Sequence, residues 1–580
     1  MLKLFKHLKP YSKQLTFILV LLFIQTMAQL YLPTLLSEIV DTGIINGDVN
    51  YILKIGGLMI LVAFIGSIAT IFASFVSSKV AMGFGRDVRR KIFTKAESFS
   101  LGEFDTVGTA SLITRTTNDV NQVQQVLIMI LRMMVTAPLT CIGGIIMAIS
   151  VDKDLSLILL VSMPLVLISI GLIGKKGMPR FKAMQVKLDK INKILRENLT
   201  GIRVIRAFNK QKFEVKRFEE ANTDFTENAI KVNKIIALLM PILMLILNVT
   251  SVAILWFGAK RIDVNAMEVG NLMAFLQYVM QIMFSLIMVS MLFIMIPRAS
   301  ASADRINEVL AIDPKIVDKE PTNDKTIKKG YVKFDNVSFF YPGAESPAVS
   351  NISFETKPGE TTAIIGGTGS GKSTILNLLE RFYDASEGKI LVDDIDIKDM
   401  SQQSLREKIG FVPQKAVLFS GTIAENLRYG KEDATAEDLV HASKIAQAYD
   451  FISEKENNFD SIVEQGGKNF SGGQKQRLAI ARALIRKPEI YVFDDSFSAL
   501  DFKTDSKLRA ALKNETKESA VIIVAQRVST IMDADRILVL DDGNVVGMGT
   551  HKELLNNCAI YKEIASSQLS EEELSNEHGK

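Results

Sequence analysis

An α-helical domain of six membrane spans followed by a soluble α/β domain is the fold that the sequence predicts, and three observations lead to it. Roughly the first 300 residues are dense in leucine, isoleucine, methionine and valine, whereas the rest has the composition of a soluble protein. Six stretches in the first part are long and apolar enough to cross a bilayer. In the second part predicted strands alternate with helices, and a glycine-rich phosphate-binding loop follows one strand.

The chain length of 580 residues exceeds what one hydrophobic core usually organises, so more than one domain is expected. The net charge is only +4, which excludes a global basic field for binding nucleic acid. Composition and motifs divide the chain into four predicted parts: a transmembrane domain (1–310), a linker (311–330), a nucleotide-binding domain (331–567) and an acidic tail (568–580).

The predicted spans are each roughly as long as, or longer than, the stretch of about 20 residues that a helix needs to cross the hydrocarbon core. They are Leu15–Leu36, Ile55–Ser77, Met133–Ser150, Leu155–Gly174, Ile235–Gly258 and Asn271–Ile296. The long connections after the second and fourth spans are rich in lysine and arginine, whereas the short connections carry few basic residues. By the positive-inside rule, both long connections and both termini are expected in the cytoplasm.

Helical periodicity continues through the two long connections, which predicts long cytoplasmic extensions of the helices. Each connection returns through a short polar turn. Leu101–Val107 and Arg206–Glu214 are the candidates for helices that contact the soluble domain.

The sixth span combines flexible methionines with amide side chains. Its notable residues are Met273, Gln277, Met280, Gln281, Met283, Phe284, Met288, Met291 and Met295, and Gln25 and Gln29 lie in the first span. One interpretation is ordinary helix packing with interhelical hydrogen bonds, and the other is a cavity that accepts several apolar shapes. The cavity is favoured only for the sixth span as a whole. No acidic residue lies deep in any predicted span, which weighs against proton-coupled transport.

A phosphate-binding loop is predicted where the strand Thr362–Ile365 meets the sequence GGTGSGKST and a helix follows. Glycines at these positions let backbone N–H groups curl around phosphates at a helix N-terminus. Lys372 is expected to reach the β- and γ-phosphates, and Ser373 to bind Mg²⁺. The predicted phosphate-binding residues are Gly366, Gly367, Thr368, Gly369, Ser370, Gly371, Lys372, Ser373 and Thr374.

Two further motifs complete the phosphate chemistry. The apolar run Tyr491–Phe493 ends in Asp494, which takes the Walker B position and is expected to hold Mg²⁺. Between the two Walker motifs, FSGGQ opens a helix, so its backbone donors and the Ser471 hydroxyl can bind a γ-phosphate supplied from outside. Besides Ser471, the predicted binding residues of this motif are Gly472, Gly473 and Gln474.

FSGGQ between a P-loop and a Walker B strand resembles the signature of ABC ATPases, and few other P-loop families carry it. Tyr341 in FFYPG resembles the aromatic residue that stacks on adenine. Gln414 in FVPQ resembles the Q-loop residue that senses Mg²⁺, and Asp501 in SALD resembles the D-loop aspartate. The segment 198–208, NLTGIRVIRAF, is similar to the second intracellular loop of ABC exporters. The resemblance covers residues 1 to about 567 and is to the type I exporter architecture.

The resemblance implies a six-span transmembrane domain followed by an α/β P-loop ABC nucleotide-binding domain, with ATP and Mg²⁺ as ligands. In that family two nucleotide domains enclose two ATP molecules, each between the Walker motifs of one chain and the signature of the other. It therefore implies a dimer of half-transporters in the lipid bilayer of a bacterial plasma membrane, with cytoplasmic nucleotide domains. No nucleic-acid partner is expected.

Two catalytic positions depart from the active family pattern. That pattern has a glutamate after the Walker B aspartate as general base, but this chain has Asp495, whose carboxylate lies one methylene further back. A displacement of about 1 Å can cost about 10²-fold in rate. The pattern also has a histidine in the switch strand, where this chain has Gln526, which carries no positive charge. Both positions are predicted to be degenerate, so that the site binds ATP and hydrolyses it poorly.

The signature FSGGQ is intact, and this asymmetry resembles one subunit of heterodimeric bacterial multidrug exporters. The predicted partner is a second half-transporter with an intact catalytic glutamate and switch histidine, and the predicted cargo is a hydrophobic small molecule. Asp495 and Gln526 working slowly in a homodimer, a lipid or lipopeptide flippase, and an ATPase-gated sensor without cargo remain alternatives. A peptide exporter with a processing protease and an importer are disfavoured, since no peptidase domain precedes the first span and importers usually separate the two domains.

Overall fold

The computed structural model describes residues 1–318 and 329–569. These residues form two compact units. The membrane unit comprises Met1–Glu97 and Thr109–Ile312, and the soluble unit comprises Ser98–Gly108 and the chain from Asp313 onward. Residues 319–328 of the predicted linker and 570–580 of the predicted acidic tail lie outside the described residues.

The membrane unit is helical, and six of its described helical runs are long and apolar enough to span a membrane, which confirms the predicted number. Its α-helices are α1 (Leu2–Phe5), α2 (Ser12–Glu38), α3 (Val49–Glu97), α5 (Thr109–Thr114), α6 (Val120–Val151), α7 (Leu157–Thr200), α8 (Ile202–Ala207), α9 (Gln211–Ala237), α10 (Leu239–Asp263) and α11 (Val269–Ala311). A 3₁₀ turn (Lys6–Tyr11) precedes α2, and π-helical turns (Ile39–Ile44 and Arg115–Asp119) follow α2 and α5. At about 1.5 Å per residue, α3 is about 70 Å long, so it extends well beyond the hydrocarbon core, as the sequence predicts.

Interhelical hydrogen bonds join α2 and α11. The buried hydroxyl of Tyr278 donates to the Leu30 carbonyl at 3.1 Å and lies 2.6 Å from the Thr34 hydroxyl. One turn further along α11, the amide nitrogen of Gln281 donates to the Gln29 carbonyl at 3.4 Å. Gln281 therefore serves helix packing, which is the simpler of the two interpretations of the amides in these spans.

The described part of the soluble unit contains three sheets. Its strands are β1 (Val332–Phe339), β2 (Val349–Thr356), β3 (Thr361–Gly366), β4 (Glu387–Val392), β5 (Ile395–Asp396), β6 (Ile409–Val412), β7 (Gly421–Thr422), β8 (Ile462–Val463), β9 (Ile490–Asp494), β10 (Ala520–Val524), β11 (Arg536–Asp541) and β12 (Asn544–Gly549). The central sheet has the order β12-β11-β3-β10-β9-β6 and is parallel except for the antiparallel edge pair β11–β12. The order β2-β1-β4-β5 forms an antiparallel sheet, and β7–β8 is a short ribbon.

Helices surround these sheets and complete the cores. They are α4 (Leu101–Val107), α12 (Lys372–Leu379), α13 (Gln402–Lys408), α14 (Ile423–Arg428), α15 (Ala436–Ile445), α16 (Tyr449–Ser453), α17 (Gly472–Ile485), α18 (Phe502–Glu515), α19 (Val528–Ile531), α20 (His551–Asn557) and α21 (Ala559–Ser566). Burial of Ile364, Val492 and Ile522 places three adjacent central strands inside one core. Parallel strands buried on both faces are nearly continuous in apolar residues, which is why the sequence predicted them.

The parallel order brings the functional segments to one edge of the sheet. The chain leaves the carboxyl ends of β3, β10, β9 and β6, which are neighbours in that order. The phosphate loop follows β3, Gln526 follows β10, Asp494 ends β9 and Gln414 follows β6. Ligand sites of open α/β sheets lie outside this edge.

The first candidate contact helix is confirmed. Helix α4 begins after Ser100, whose backbone N–H donates to the Glu103 carboxylate at 2.9 Å in a capping box. Leu101 packs against the core beneath β1 and α12, and Asp105 accepts a hydrogen bond of 3.2 Å from the Tyr383 hydroxyl. Segment 98–108 therefore belongs with the soluble unit, although it lies within the predicted transmembrane range 1–310.

The second candidate, Arg206–Glu214, is not one helix. It includes the end of α8, a turn at 208–210 and the start of α9. Asn209 in this turn has a φ of 53°, a left-handed conformation that interrupts a helix and that asparagine tolerates better than most residues. Its contact with a soluble domain stays a prediction.

Candidate nucleotide site

The phosphate loop connects β3 to α12 in a conformation that requires glycine. Gly369 and Gly371 have φ values of 86° and 96°. A Cβ atom on Gly371 would lie 2.7 Å from the Ala348 carbonyl, and one on Gly366 would lie 2.2 Å from the Leu540 carbonyl. The loop is thus packed closely against its own domain on one side. Beyond Gly367 there is open space on the other side, where an anion can approach the backbone.

Lys372 lies at the mouth of this loop. Its ammonium donates to the carbonyls of Gly366 at 2.9 Å and Gly367 at 2.6 Å. Burial lowers the pKa of Lys372, and the nearby carboxylates of Asp494 and Asp495 oppose that shift. A half-buried cation held beside exposed loop N–H groups fits the phosphate groups of a nucleotide.

Ser373 and Asp494 form the predicted magnesium pair. The Ser373 hydroxyl donates to the Asp494 carboxylate at 3.3 Å, and Asp494 is buried. Burial raises the pKa of Asp494, and the negative charge of Asp495 raises it further, while Ser373 and Lys372 oppose the rise. A divalent cation here would favour the ionised carboxylate, and a hydroxyl with a carboxylate is the oxygen donor set that Mg²⁺ prefers. The residues present therefore fit Mg²⁺ bound together with phosphate oxygens.

Asp495 is hydrogen-bonded by two amides that come from different strands. Its Oδ2 accepts from Gln526 Nε2 at 2.8 Å and from Gln414 Nε2 at 3.3 Å. Its backbone has a φ of 45°, and its N–H donates to the Val524 carbonyl at 2.9 Å. The two positions that depart from the family pattern are thus bonded to each other. The sequence alone gives no sign of this hydrogen bond, because the two residues are 31 positions apart.

The predicted adenine-stacking residue belongs to an aromatic cluster beside the phosphate loop. The Tyr341 hydroxyl lies 3.1 Å from the Thr374 hydroxyl in α12. Its ring meets those of Phe339 and Tyr383 edge-on, with centroids 4.9 and 5.4 Å apart. Tyr383 was not identified from the sequence, yet it joins this cluster to Asp105 of α4. The only sign of this role in the sequence is an aromatic residue in the turn that follows α12.

The signature residues lie at the start of α17. Ser471 caps this helix, since its hydroxyl accepts from the Gln474 N–H at 3.3 Å while the Gln474 side chain accepts from the Ser471 N–H at 3.0 Å. Both Ser471 and Gly472 are exposed. A Cβ on Gly473 would lie 3.1 Å from the Ala499 carbonyl, so the signature is packed against the D-loop.

Asp501 of the D-loop caps α18 and accepts from the Thr504 N–H at 2.9 Å, and this backbone hydrogen bond lowers the pKa of Asp501. Among the described residues, neither Ser471 nor Asp501 is hydrogen-bonded to Lys372 or Asp494. The chain brings together its Walker residues, Gln414 and the two catalytic positions, and it leaves its signature open to solvent.

Six membrane-spanning helices followed by a parallel-sheet domain with a phosphate loop and a separate signature helix define an ATP-driven membrane transporter. The family model described as ABC transporter transmembrane region matches residues 15–286, and the model described as ABC transporter matches residues 349–498. The chain belongs to the ABC transporter family.

Several relatives match along nearly their whole length. An uncharacterised ABC transporter ATP-binding protein of Mycobacterium tuberculosis is 42% identical over 97% of both chains. The uncharacterised ABC transporter ATP-binding protein YfiB of Bacillus subtilis is 40% identical over 99% of both. An ATP-dependent lipid A-core flippase of Vibrio vulnificus is 31% identical over 98% of this chain and 97% of its own.

Among solved structures, a bacterial Atm1-family ABC exporter with ATP bound superimposes with a TM-score of 0.80 at 26% identity, covering 97% of this chain and 99% of that chain. The chain therefore has the fold of an ABC exporter half-transporter, a multi-pass membrane protein with a cytoplasmic nucleotide-binding domain. Exporters of this kind work as dimers and hydrolyse ATP, and they act on the lipid membrane.

Proposed function

We propose that this chain is one subunit of a heterodimeric exporter of lipophilic, drug-like compounds. Its own Walker motifs bind ATP with Mg²⁺ but hydrolyse it slowly, and its signature completes the competent site of a partner half-transporter. Binding of ATP closes the paired nucleotide domains and turns the cargo cavity outward. Hydrolysis at the partner's competent site then resets the pair.

The observation that carries this proposal is the pair of amide hydrogen bonds on Asp495. A general base must have a lone pair directed at the attacking water. Here Oδ2 accepts from both Gln526 and Gln414, and the carboxylate already lies one methylene further back than a glutamate would. Neutral Gln526 also brings no positive charge to stabilise the transition state. Both features favour a site that retains nucleotide and turns it over slowly.

Three intact features support retained ATP binding. The loop glycines have the φ values and close packing that a phosphate loop needs, Lys372 is in place, and Ser373 is hydrogen-bonded to Asp494. Slow hydrolysis therefore follows from the catalytic positions and not from a lost nucleotide pocket.

The exposed signature supports the role toward a partner. Ser471 and Gly472 stand at a solvent-facing helix N-terminus, and no residue of this chain's own Walker motifs is bonded to them among those described. The backbone N–H groups at such a terminus attract a phosphate that arrives from another molecule.

The membrane unit supports a lipophilic cargo. A cavity of about 320 Å³ lies among α2, α3, α6 and α11 and includes Gln25 and Met288 in its lining, two of the residues that the sequence singled out. Its size is that of a pocket for a drug-sized ligand, and methionine adapts to ligands of different shape.

The decisive experiment measures ATPase rates of this chain in lipid, alone and together with the half-transporter encoded beside it. Asp495→Asn in this chain is compared with the glutamate-to-glutamine change at the partner's catalytic position. We expect the partner's change to abolish turnover and Asp495→Asn to alter it little. Brisk turnover by this chain alone, abolished by Asp495→Asn, would instead establish a working homodimer and refute the proposal.

One relative favours a second candidate, a lipid flippase. The lipid A-core flippase of Vibrio vulnificus shares 31% identity along nearly the whole chain, and an apolar, adaptable cavity suits a lipid as well as a drug. Reconstitution with fluorescent phospholipids separates the two, because a flippase moves phospholipid between leaflets in the absence of any added drug.

A further inference from the structure

The cavity in the membrane unit contains one residue that lipophile binding alone does not explain. Six of its eleven lining residues are apolar, and three of these are methionines. Four others are neutral polar residues. The last is Arg132 of α6, the one charged residue of the described lining.

Arg132 has no protein partner among the described residues: it forms neither a hydrogen bond nor an ion pair with any of them. Other arginines that flank the spans do have partners. Arg305 donates to Asp119. Arg261 donates to Asp152 at 2.6 Å. The Arg132 side chain is exposed, and its guanidinium offers five N–H donors. Arg132 is therefore available to a ligand.

The depth of Arg132 is that of the inner head-group region. It precedes Ser150, the outer end of the predicted third span, by 18 residues on a continuous helix. At about 1.5 Å per residue this is about 27 Å, close to the full thickness of a hydrocarbon core of about 30 Å. An arginine at this level commonly extends to the interface along the lipid. This one instead shares a cavity with side chains of three other helices.

Neutral polar residues add hydrogen-bonding groups to the lining of the cavity. Thr136 lies one turn from Arg132 on α6, and Ser74 lies one turn from Thr70 on α3. The Thr70 hydroxyl donates to the Gly66 carbonyl at 2.8 Å, which leaves its lone pairs free. Gln25 adds an amide from the first span. The lining thus combines one cation and several hydrogen-bonding groups with an apolar surface.

We propose that this cavity binds an amphiphile with an anionic head, a carboxylate or a phosphate, placed on Arg132 with its apolar body along the methionines. A guanidinium pairs with both anions through two parallel hydrogen bonds. The same charge repels the ammonium group of a cationic amphiphile. The inference rests on the proposed export of lipophiles and names the chemical class among them.

The test uses the full-length chain in nanodiscs of zwitterionic phosphatidylcholine and four dansyl-labelled probes with the same eleven-carbon body. Their heads are a carboxylate, a phosphate monoester, a methyl ester and an amine, and empty nanodiscs supply the background. We expect both anionic probes to bind at least about tenfold more tightly than the ester, as one hydrogen bond to a charged group predicts. The amine should bind most weakly.

Three variants locate the effect. Arg132→Gln should abolish the advantage of the anionic heads, and Arg132→Lys should restore most of it. Arg298→Gln removes an equal charge from α11 outside this cavity and should change nothing. The comparison of the four probe head groups uses the unmodified chain, so the inference can still be tested if Arg132→Gln fails to fold.

The outcomes separate the inference from the proposed function on which it rests. Equal binding of ester and anions, tightest binding of the amine, or an anionic preference that survives Arg132→Gln would overturn the inference and leave lipophile export standing. Failure of all four probes to bind would overturn both. A stronger preference for phosphate than for carboxylate supports a lipid-like head, and the reverse supports a carboxylate-bearing small molecule.

Discussion

The side-chain amide of Gln526 donates a hydrogen bond of 2.8 Å to the carboxylate of Asp495. In the family pattern these two positions hold the switch histidine and the catalytic glutamate. Here each replacement is the partner of the other, and Gln414 joins them from the end of β6. Both amides donate to the same oxygen, Oδ2, so that oxygen is already hydrogen-bonded before any water approaches it. This hydrogen-bonded group is the physical basis for proposing that the site hydrolyses ATP slowly.

Restoring both positions should restore catalysis at this site. In Asp495→Glu combined with Gln526→His, the carboxylate gains a methylene and the switch position gains an imidazole that can carry positive charge. We expect hydrolysis at this chain's own site to rise by about 10²-fold, the size of a geometric correction of about 1 Å. The measurement is phosphate release by the proposed heterodimer, with the partner's site blocked at its catalytic glutamate.

The control for this experiment is Asp495→Asn in the same blocked dimer, which should stay at the basal rate. If the unmodified chain already turns over as fast as the double variant, Asp495 is a competent base and the slow-site interpretation is wrong.

The positions of the nucleotide-binding motifs along the chain were predictable, because each motif depends only on local sequence. A strand, a glycine-rich loop and a helix predict the phosphate site within residues 361–379, and strands that alternate with helices predict an α/β domain. The bonds on Asp495 were not predictable, because they join the ends of three strands. Such bonds depend on strand order, which no short segment encodes.

Contacts that depend on non-local packing were predicted less completely. The helix at 101–107 was expected, but its partners Tyr383 and the aromatic cluster around Tyr341 were not. Arg206–Glu214 was expected to be one helix, whereas Asn209 in a left-handed conformation divides it. The spacing of apolar residues along the chain does not indicate where a single residue adopts a positive φ.

The bond between Tyr383 and Asp105 predicts a role in coupling. Tyr383→Phe removes the 3.2 Å hydrogen bond to α4 and leaves the ring against Phe339 and Tyr341. We expect ATP binding to persist, domain stability to fall by about 1 kcal/mol or less, and stimulation of the ATPase by a transported lipophile to drop several-fold.

Stimulated and basal ATPase rates of the dimer in lipid provide the measurement for Tyr383→Phe. The matched control is Tyr449→Phe on α16, where the ring packs beneath Lys444 far from α4 in sequence. Equal stimulation in both variants would contradict a coupling role for Tyr383.

Glu380 predicts a pH dependence of stability. Burial raises its pKa to about 7 from 4.5, against the opposing charges of Arg406 and Arg486. Because the folded pKa is the higher one, the folded state retains a proton between these values that the unfolded chain has released. The stability from this group is therefore full below pH 4.5 and is lost as pH rises through 7.

Glu380→Gln keeps a neutral side chain of nearly the same size at every pH. We expect its melting temperature in detergent to exceed that of the unmodified chain by about 5 °C at pH 8, with the difference shrinking toward pH 5. Glu387→Gln at the exposed start of β4 is the control, and it should leave the melting temperature unchanged at both pH 8 and pH 5. A difference that is the same at both pH values would show that Glu380 does not titrate in this range.

The signature serine provides the sharpest test of the role toward a partner. Ser471→Ala removes an exposed hydroxyl at the start of α17, where the proposal places the γ-phosphate of the partner's ATP. We expect turnover by the dimer to fall by about 10²-fold, the usual effect of losing one donor to a transferring group. MgATP binding by this chain alone, measured by equilibrium dialysis, should be unchanged, because its own Walker motifs are untouched.

Loss of the helix cap is the competing explanation, and Ser401→Ala controls for it. Ser401 caps α13 and accepts from the Ser404 N–H at 3.1 Å, much as Ser471 accepts from Gln474 at 3.3 Å. Each substitution should cost about 1 kcal/mol of stability through the lost cap. Only Ser471→Ala should also lose turnover, because the proposal places only that hydroxyl at the partner's nucleotide. Equal turnover in the two variants would show that the signature of this chain completes no competent site.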